Sequence, residues 1–453
     1  MKKIIYSIIL SGLILSGCVK KTDPIFDQTP DERLAAAQNA LQSALITAPG
    51  WKLFVYPKGL ETSQDIKVGG LTYYVKFTAD GRVRMVSDFA PAGATSISAT
   101  PKESGYHLKA LQRISLIFDT YNYMHIAADP DPDVSFSPAG TGGYGYGSDF
   151  NFAFTDVKPK DTMMLEGNFN KSAAVLVKAT QAEMDAAFVN FKLRDIIDKT
   201  RSYAAASPAI YLTAGGQNYG VGFDFSNFMI SFSNIQGGAL VVRNLPSSFT
   251  TYGIHLKDPV TIGPYTFQDI YWDDAKSLYY ILSGTTHVEF VSSATPVVSL
   301  SLSNVIGGVD LSTISIPQGA GLPFESPLFI SKYNTAASGM LSGPYALSLD
   351  DLDFVFSKAA GGMAVVAYVY QNGVGPYVCQ YNYAYSIDAS GKYSFVKVSQ
   401  NGNAALVVAN MNNILNYIQT DKFSVDGVST SVGFLGKMTS VQTPTFYFSG
   451  YLY

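Results

Sequence analysis

Cysteine is nearly missing from this 453-residue sequence, which carries only Cys18 and Cys379. A disulfide-stapled scaffold is therefore excluded. Tryptophan occurs twice and histidine four times, scattered, with no His-Glu-x-x-His pair, so a zinc-hydrolase motif is absent. Charged residues make up 15%, well below the roughly 25% of ordinary domains. The net charge is −4 and no basic block follows Lys20-Lys21, so nucleic acid is not an expected partner. After residue 18 no apolar run approaches the roughly 20 residues that a membrane-spanning helix needs. Hydrophobic residues reach 47%, which excludes a largely disordered chain. What the chain has instead is 30 Tyr and 28 Phe set among 40 Gly, a mixture that favours strands and turns over helices. The expected fold class is mainly β with a few helices (α+β).

The N-terminus carries its own signal. Lys2 and Lys3 precede an apolar segment from Ile4 to Leu15, and Leu15-Ser16-Gly17-Cys18 places small residues immediately before a cysteine. This is the pattern of a lipoprotein signal peptide. Residues 1–17 are expected to be removed, and Cys18 to carry a covalent diacylglycerol with further acyl (palmitate-type) lipid. Two or three acyl chains, at about 0.8 kcal/mol per buried methylene, make a stable anchor. Residues 18–29 then read as a lipidated tether. Cys379 is left alone in a strand-like run and is expected to be a buried, inert thiol.

Periodicity divides the rest. Thr29-Pro30-Asp31-Glu32 offers an N-cap, an N1 proline and the second half of a capping box, opening a helix over residues 30–47. Its apolar stripe is Leu34, Ala37, Leu41, Ala44 and Leu45. Residues 71–77 and 82–86 flank Asp80-Gly81 as a hairpin, residues 114–118 read as a buried strand, and residues 149–154 alternate as another. A second capped helix is expected over 180–200, with Met184, Ala187, Phe188 and Phe191 on one face. Residues 204–208 read as a linker. Beyond it come short strands, including 222–232, 353–356 and a hairpin of 381–387 with 393–398. One helix follows over 404–420, burying Val407, Met411, Ile414 and Ile418. Two β-sandwich or barrel-like units are expected: residues 30–203, with the first helix, and residues 204–453.

Asp119, His125 and Asp129 lie within eleven residues, beside Tyr121 and Asn122. Carboxylate and imidazole suit a divalent metal, but no second histidine is near. These residues are expected to shape a turn or border a binding cleft. Asp129, Asp131 and Asp133 resemble the first half of a calcium loop, yet Val134 and Gly140 stand where an EF-hand needs Gly and Glu. A solvated, proline-stiffened loop is the default, and a calcium site of another kind the alternative. Tyr144 and Tyr146, in the glycine-rich loop 142–148, are candidate stacking faces for a ligand, whereas Trp51 is expected in the core. Asp350, Asp351 and Asp353 supply paired acids, with Asp351 and Asp353 expected on one exposed strand face. No Gly-x-Ser-x-Gly elbow or phosphate loop is present, so no catalysis and no cofactor beyond the lipid are expected.

Several segments resemble a family of Bacteroidetes lipoproteins known as a domain of unknown function. They are Phe26-Asp27, Glu32-Arg33, Gly50-Trp51, Tyr56, Gly69-Gly70, Tyr74, Phe77 and Asp80-Gly81. The run from Leu116 to Asn122 is the most specific, followed by His125, Asp129-Pro130, Asp149-Phe150, Leu165 to Gly167, and Gly253 to Leu256. Together they span about residues 25–275. The resemblance supplies no catalytic residues. It implies an outer-membrane, cell-surface location and, through frequent encoding beside starch-utilisation-type importers, a role in glycan or peptide capture. Lys20-Lys21 depart from the acidic stretch that often follows the cysteine in surface-exported members. The resulting expectation is a membrane-anchored, non-catalytic binding accessory of an uptake system. A structural or adhesive surface protein is the alternative, and a hydrolase the third reading.

Overall fold

The computed structural model describes residues 28–58, 68–89, 98–135, 137, 143 and 145–453. Cys18, the signal segment and Tyr144 lie outside the described residues. The chain forms three successive β-sheets with seven helices among the described residues. The mainly-β class is as expected, but the sheets number three where two units were anticipated.

The first sheet is a closed barrel of β1 (Gly50–Tyr56), β2 (Leu71–Phe77), β3 (Arg82–Ser87), β4 (Lys102–Ala110), β5 (Ile114–Phe118), β6 (Asn151–Phe154), β7 (Thr162–Gly167) and β8 (Ala173–Ala179). It closes because β1 pairs on both edges, Leu53 facing Tyr73 of β2 and Leu176 of β8. Leu53, Val75, Met85, Leu116, Phe152 and Leu176 are among its fully buried apolar residues. Helix α1 (Pro30–Thr47) carries the expected capping box, with the Glu32 carboxylate accepting from the Thr29 N–H. It buries Leu41 and Leu45 and receives the Trp51 indole N–H on the Leu45 carbonyl at 3.1 Å, so Trp51 is core. Leu34, assigned to the same stripe, is exposed.

The second sheet runs as a meander through β9 (Ala209–Ala214), β10 (Gln217–Asp224), β11 (Met229–Gln236), β12 (Ala239–Thr250), β13 (Gly253–Ile262), β14 (Tyr265–Asp273), β15 (Leu278–Ser283) and β16 (Thr286–Glu289). After the buried Phe290, β17 (Val291–Ser293) returns to pair with β9, curling the sheet into a barrel-like form. The third comprises β18 (Ser299–Ser301), β19 (Thr313–Ile316), β20 (Leu347–Ser357), β21 (Gly362–Gln371), β22 (Val374–Ile387), β23 (Tyr393–Gln400), β24 (Phe423–Thr430), β25 (Gly433–Ser440) and β26 (Tyr447–Leu452).

Several expectations need correction. The helix over 180–200 is two, α4 (Gln181–Phe188) and α5 (Lys192–Ala206), because Phe191 turns into a left-handed conformation at φ 50° and is exposed. Helix α5 continues through Ala204, so only Ser207 and Pro208 remain of the linker. The strand expected over 222–232 is the end of β10 and the start of β11, folded about an Asp224 carboxylate that accepts from the Ser226 and Asn227 N–H groups. A helix before β20 was not anticipated: α6 (Pro327–Leu341), capped by Ser326, packs beside α7 (Gly402–Thr420). Phe329, Tyr333 and Met340 join Val407, Met411, Ile414 and Ile418 in one core. Cys379 belongs to it, and burial pushes its thiol up to about 11.

Hydrogen bonds stitch neighbouring sheets together. The Gly69 N–H donates to the Asn227 carbonyl at 2.7 Å and Gly70 to Ser247 at 2.9 Å. A Cβ on Gly69 would stand 1.5 Å from the Phe228 carbonyl oxygen, so this approach needs glycine. The Asp88 carboxyl spans the same seam, accepting from Thr72 N–H at 2.7 Å and Phe249 N–H at 2.8 Å. Between the second and third sheets, Phe223 N–H donates to Ser431 O and Ser431 N–H to Pro208 O.

Candidate ligand-binding site

The segment after β5 is held by its own polar side chains. Asn122 is fully buried and caps α2 (Tyr123–Ala127), its Oδ1 accepting from the Met124 N–H at 2.9 Å and its Nδ2 donating to Ser104 Oγ at 3.0 Å. His125 closes the capping box by accepting the Asn122 N–H on Nδ1, and its ring stacks on Phe150 with centroids 4.1 Å apart. Burial, and then Lys102, lowers the His125 pKa and favours the neutral ring. Asp119 pairs with His107 at 2.7 Å rather than with His125. Tyr121 donates its hydroxyl to Asp129 Oδ2 at 2.5 Å.

The aspartate ladder is equally occupied. Asp129 Oδ1 accepts from the Asp131 N–H and Asp131 Oδ1 from the Asp133 N–H, both at 2.9 Å, as successive Asx turns that lead into the short α3 (Pro132–Ser135). Among the described residues no three His, Cys, Asp or Glu side chains converge as a metal site would need. Asp119, His125 and Asp129 therefore have separate partners: His107 on β4, the helix cap at Asn122, and the turn at Asp131. Tyr146, expected to face a ligand, is 2% exposed and meets Phe89 and Phe228 edge-on. Gly145 and Gly147 adopt left-handed φ angles that fold their loop inward against the end of α2, where the Tyr146 N–H donates to Ala127 O. Asp351 and Asp353 share one face of β20, opposite the buried Leu352 and Phe354, but that face is half-buried rather than exposed, and burial raises the pKa of both carboxyls.

Beside the His125–Phe150 stack a cleft of about 340 Å³ opens at the end of the barrel. Its walls include Ser148, Phe150 and Asn151 from the entry to β6, and Asn168, Phe169 and Asn170 from the β7–β8 turn. Asp149 builds this turn. Its carboxylate, 3% exposed, accepts Phe169 N–H and Asn170 N–H at 2.9 Å on Oδ1, and Ser172 N–H at 3.1 Å and Ser172 Oγ–H at 2.7 Å on Oδ2. Gly167 makes room for it, since a Cβ there would lie 2.0 Å from Asp149 Oδ2. The turn in this way holds Phe169 out at 83% exposure. In the lining of the same cleft, Ser148 Oγ and Asn151 Oδ1 are buried without a hydrogen-bond partner. With Asp149 committed to the turn, the cleft presents a flat apolar ring and neutral polar atoms. Sequence reasoning missed Phe169 and its flanking Asn168 and Asn170. Their one signal is a large aromatic residue in an otherwise polar turn.

These features define a mainly-β, multi-sheet protein with a small cleft at the end of its first barrel, whose one acid among the described residues is bound into a turn. The chain belongs to the family described as a domain of unknown function (DUF4302), whose model matches residues 22–274. The match spans the barrel, the cleft and the second sheet through β14, and no catalytic family is identified. Several residues that carried the resemblance have structural work, with Gly69 and Gly70 at the seam and Asn122 and His125 in the α2 cap. No curated protein matches the chain. Solved structures similar to it include the DNA polymerase III beta subunit of Thermotoga maritima, at 9% identity and TM-score 0.13, covering 93% of this chain and 97% of that one. Another is a C. crescentus beta sliding clamp, at 10% identity and TM-score 0.15, covering 92% and 97%. Neither likeness bears on the site.

Proposed function

We propose that this protein is a lipid-anchored outer-membrane lipoprotein that captures a glycan, without cleaving it, for an uptake complex. The observation that carries the glycan reading is Phe169, an exposed ring at a cleft whose lining also includes two side chains with unpartnered polar atoms, Ser148 Oγ and Asn151 Oδ1. A sugar ring offers an apolar face for stacking and hydroxyls that pair with such atoms. A peptide terminus would call for a charge, and among the described residues the only charged side chain lining the cleft, Asp149, is turned into its own loop. The test is a polysaccharide and peptide array with the full chain, followed by titration of the best glycan. Phe169→Ala is expected to leave the melting temperature unchanged and to weaken binding by about 1–3 kcal/mol, roughly 5- to 150-fold. Unchanged affinity, or binding to peptides alone, sinks the reading.

The anchor rests on the Leu15-Ser16-Gly17-Cys18 segment behind Lys2 and Lys3. Its location on the cell surface and its service to an importer rest on the resemblance to Bacteroidetes lipoproteins. Cys18→Ala is expected to abolish labelling by radioactive palmitate and to move the protein out of the membrane fraction. Retained labelling overturns the anchor, and full protection of intact cells from protease places the body in the periplasm.

A further inference from the structure

A second cavity lies at the seam between the second and third sheets. It measures about 480 Å³. Arg201 and Phe225 come from the second-sheet side, the loop from Gly321 to Glu325 and the turn at Ser431 from the third. Two of its polar side chains are more than nine-tenths buried yet incompletely bonded. Glu325, 9% exposed, accepts the Gly321 N–H on Oε2, whereas its Oε1 has no partner. Ser431 is fully buried, and its Oγ has no partner although its backbone N–H and C=O both bond across the seam. Buried polar atoms left unsatisfied are costly, and here the two side chains that carry them line one cavity. The loop that presents Glu325 is itself strained, with Ala320 and Phe324 at positive φ of 53° and 63°.

We propose that this seam is a second saccharide site, in which Glu325 Oε1 and Ser431 Oγ bond the hydroxyls of a neutral sugar residue beside the rings of Phe225 and Phe324. The proposal rests on the glycan reading above and extends it to a second place on the molecule. The walls carry one acid and one guanidinium, so they select no net charge, and they alternate polar atoms with Leu322, Pro208 and Val432 as a pyranose does. Burial pushes the Glu325 carboxyl up to about 7, so near neutral pH it serves as donor or acceptor, a better match to hydroxyls than to an ammonium group.

Titration calorimetry of the full chain with the oligosaccharide chosen by the array tests it, with neutral dipeptides as the competing probe. Ser431→Ala removes an unbonded hydroxyl and is expected to keep or raise the melting temperature while reducing the stoichiometry from two to one. Glu325→Gln is expected to weaken the same site by about tenfold. If both variants bind as the wild type does while Phe169→Ala abolishes binding, the seam is not a site and the barrel cleft stands. If Ser431→Ala abolishes binding that Phe169→Ala leaves intact, the seam stands and the barrel cleft falls. Titration by dipeptides alone, or by no probe, overturns both.

Discussion

Replacing Asp88 with alanine is expected to lower stability by about 2–6 kcal/mol and to remove part of the protein's pH dependence. The carboxyl is 1% exposed and lies between the barrel and the second sheet. It receives the Thr72 N–H from one and the Phe249 N–H from the other. Alanine orphans both donors, at about 1–3 kcal/mol for each one left dry. Asparagine is a poor rescue, since its amide nitrogen would face one of these N–H groups. Burial outweighs the backbone hydrogen bonds and pushes the Asp88 pKa up to about 8 from its ordinary 3.8. Between those values the folded state holds a proton that the unfolded chain has released. Its stabilising effect is therefore complete below about pH 4 and lost as pH rises through 8, with a slope of at most about 1.4 kcal/mol per pH unit. Glu325 contributes with the same sign up to about pH 7. Urea unfolding at pH 5, 6.5 and 8 should show wild-type stability falling with pH and a flatter line for Asp88→Ala. Parallel lines would mean that Asp88 is ionised throughout.

The elements legible in the sequence were those whose signal is local. The hairpin of β2 and β3 followed from alternation on either side of Asp80-Gly81, and α7 from the spacing of four apolar residues that are all buried. Closure of the barrel was not legible, because Gly50 pairs with Ala179 across the whole first unit and no local period encodes that meeting. Helix α6 was hidden for a different reason. Its Ser326-Pro327 cap follows the glycine- and proline-rich loop 317–325, and small polar residues interrupt its interior. At the site, the strand from Asn151 to Phe154 and the buried cap at Asn122 were within reach of pattern reading. The choice of aromatic residue was not. Tyr146 sits in a glycine-rich loop and reads as surface, but the left-handed glycines carry it inward, while Phe169 reads as an incidental turn residue and is held outward by a carboxylate twenty positions away.

That carboxylate gives the sharpest test of the cleft. Asp149→Ala is expected to cost about 1–3 kcal/mol of stability and to reduce glycan affinity by more than Phe169→Ala does. Four hydrogen bonds from residues 169–172 end on this one side chain, and two of their donors belong to the fully buried Ser172. Without the acceptor the Ser172 N–H is left dry, at about 1–3 kcal/mol, while its hydroxyl keeps only the longer bond to the Gly147 carbonyl at 3.4 Å. The turn then loses the constraint that holds both the Phe169 ring and the Asn170 amide, which bonds the Ser148 carbonyl at 2.7 Å. Asp149→Asn is expected to fail as a rescue, because one of the two oxygens becomes an NH₂ facing N–H and O–H donors. The measurements are chemical unfolding, glycan titration and amide hydrogen exchange over residues 167–173, compared with Phe169→Ala. Faster exchange in this turn for Asp149→Ala alone, with the larger loss of affinity, would establish that the carboxylate positions the platform. Equal affinities for Asp149→Ala and the wild type would remove the β7–β8 turn from the binding site altogether.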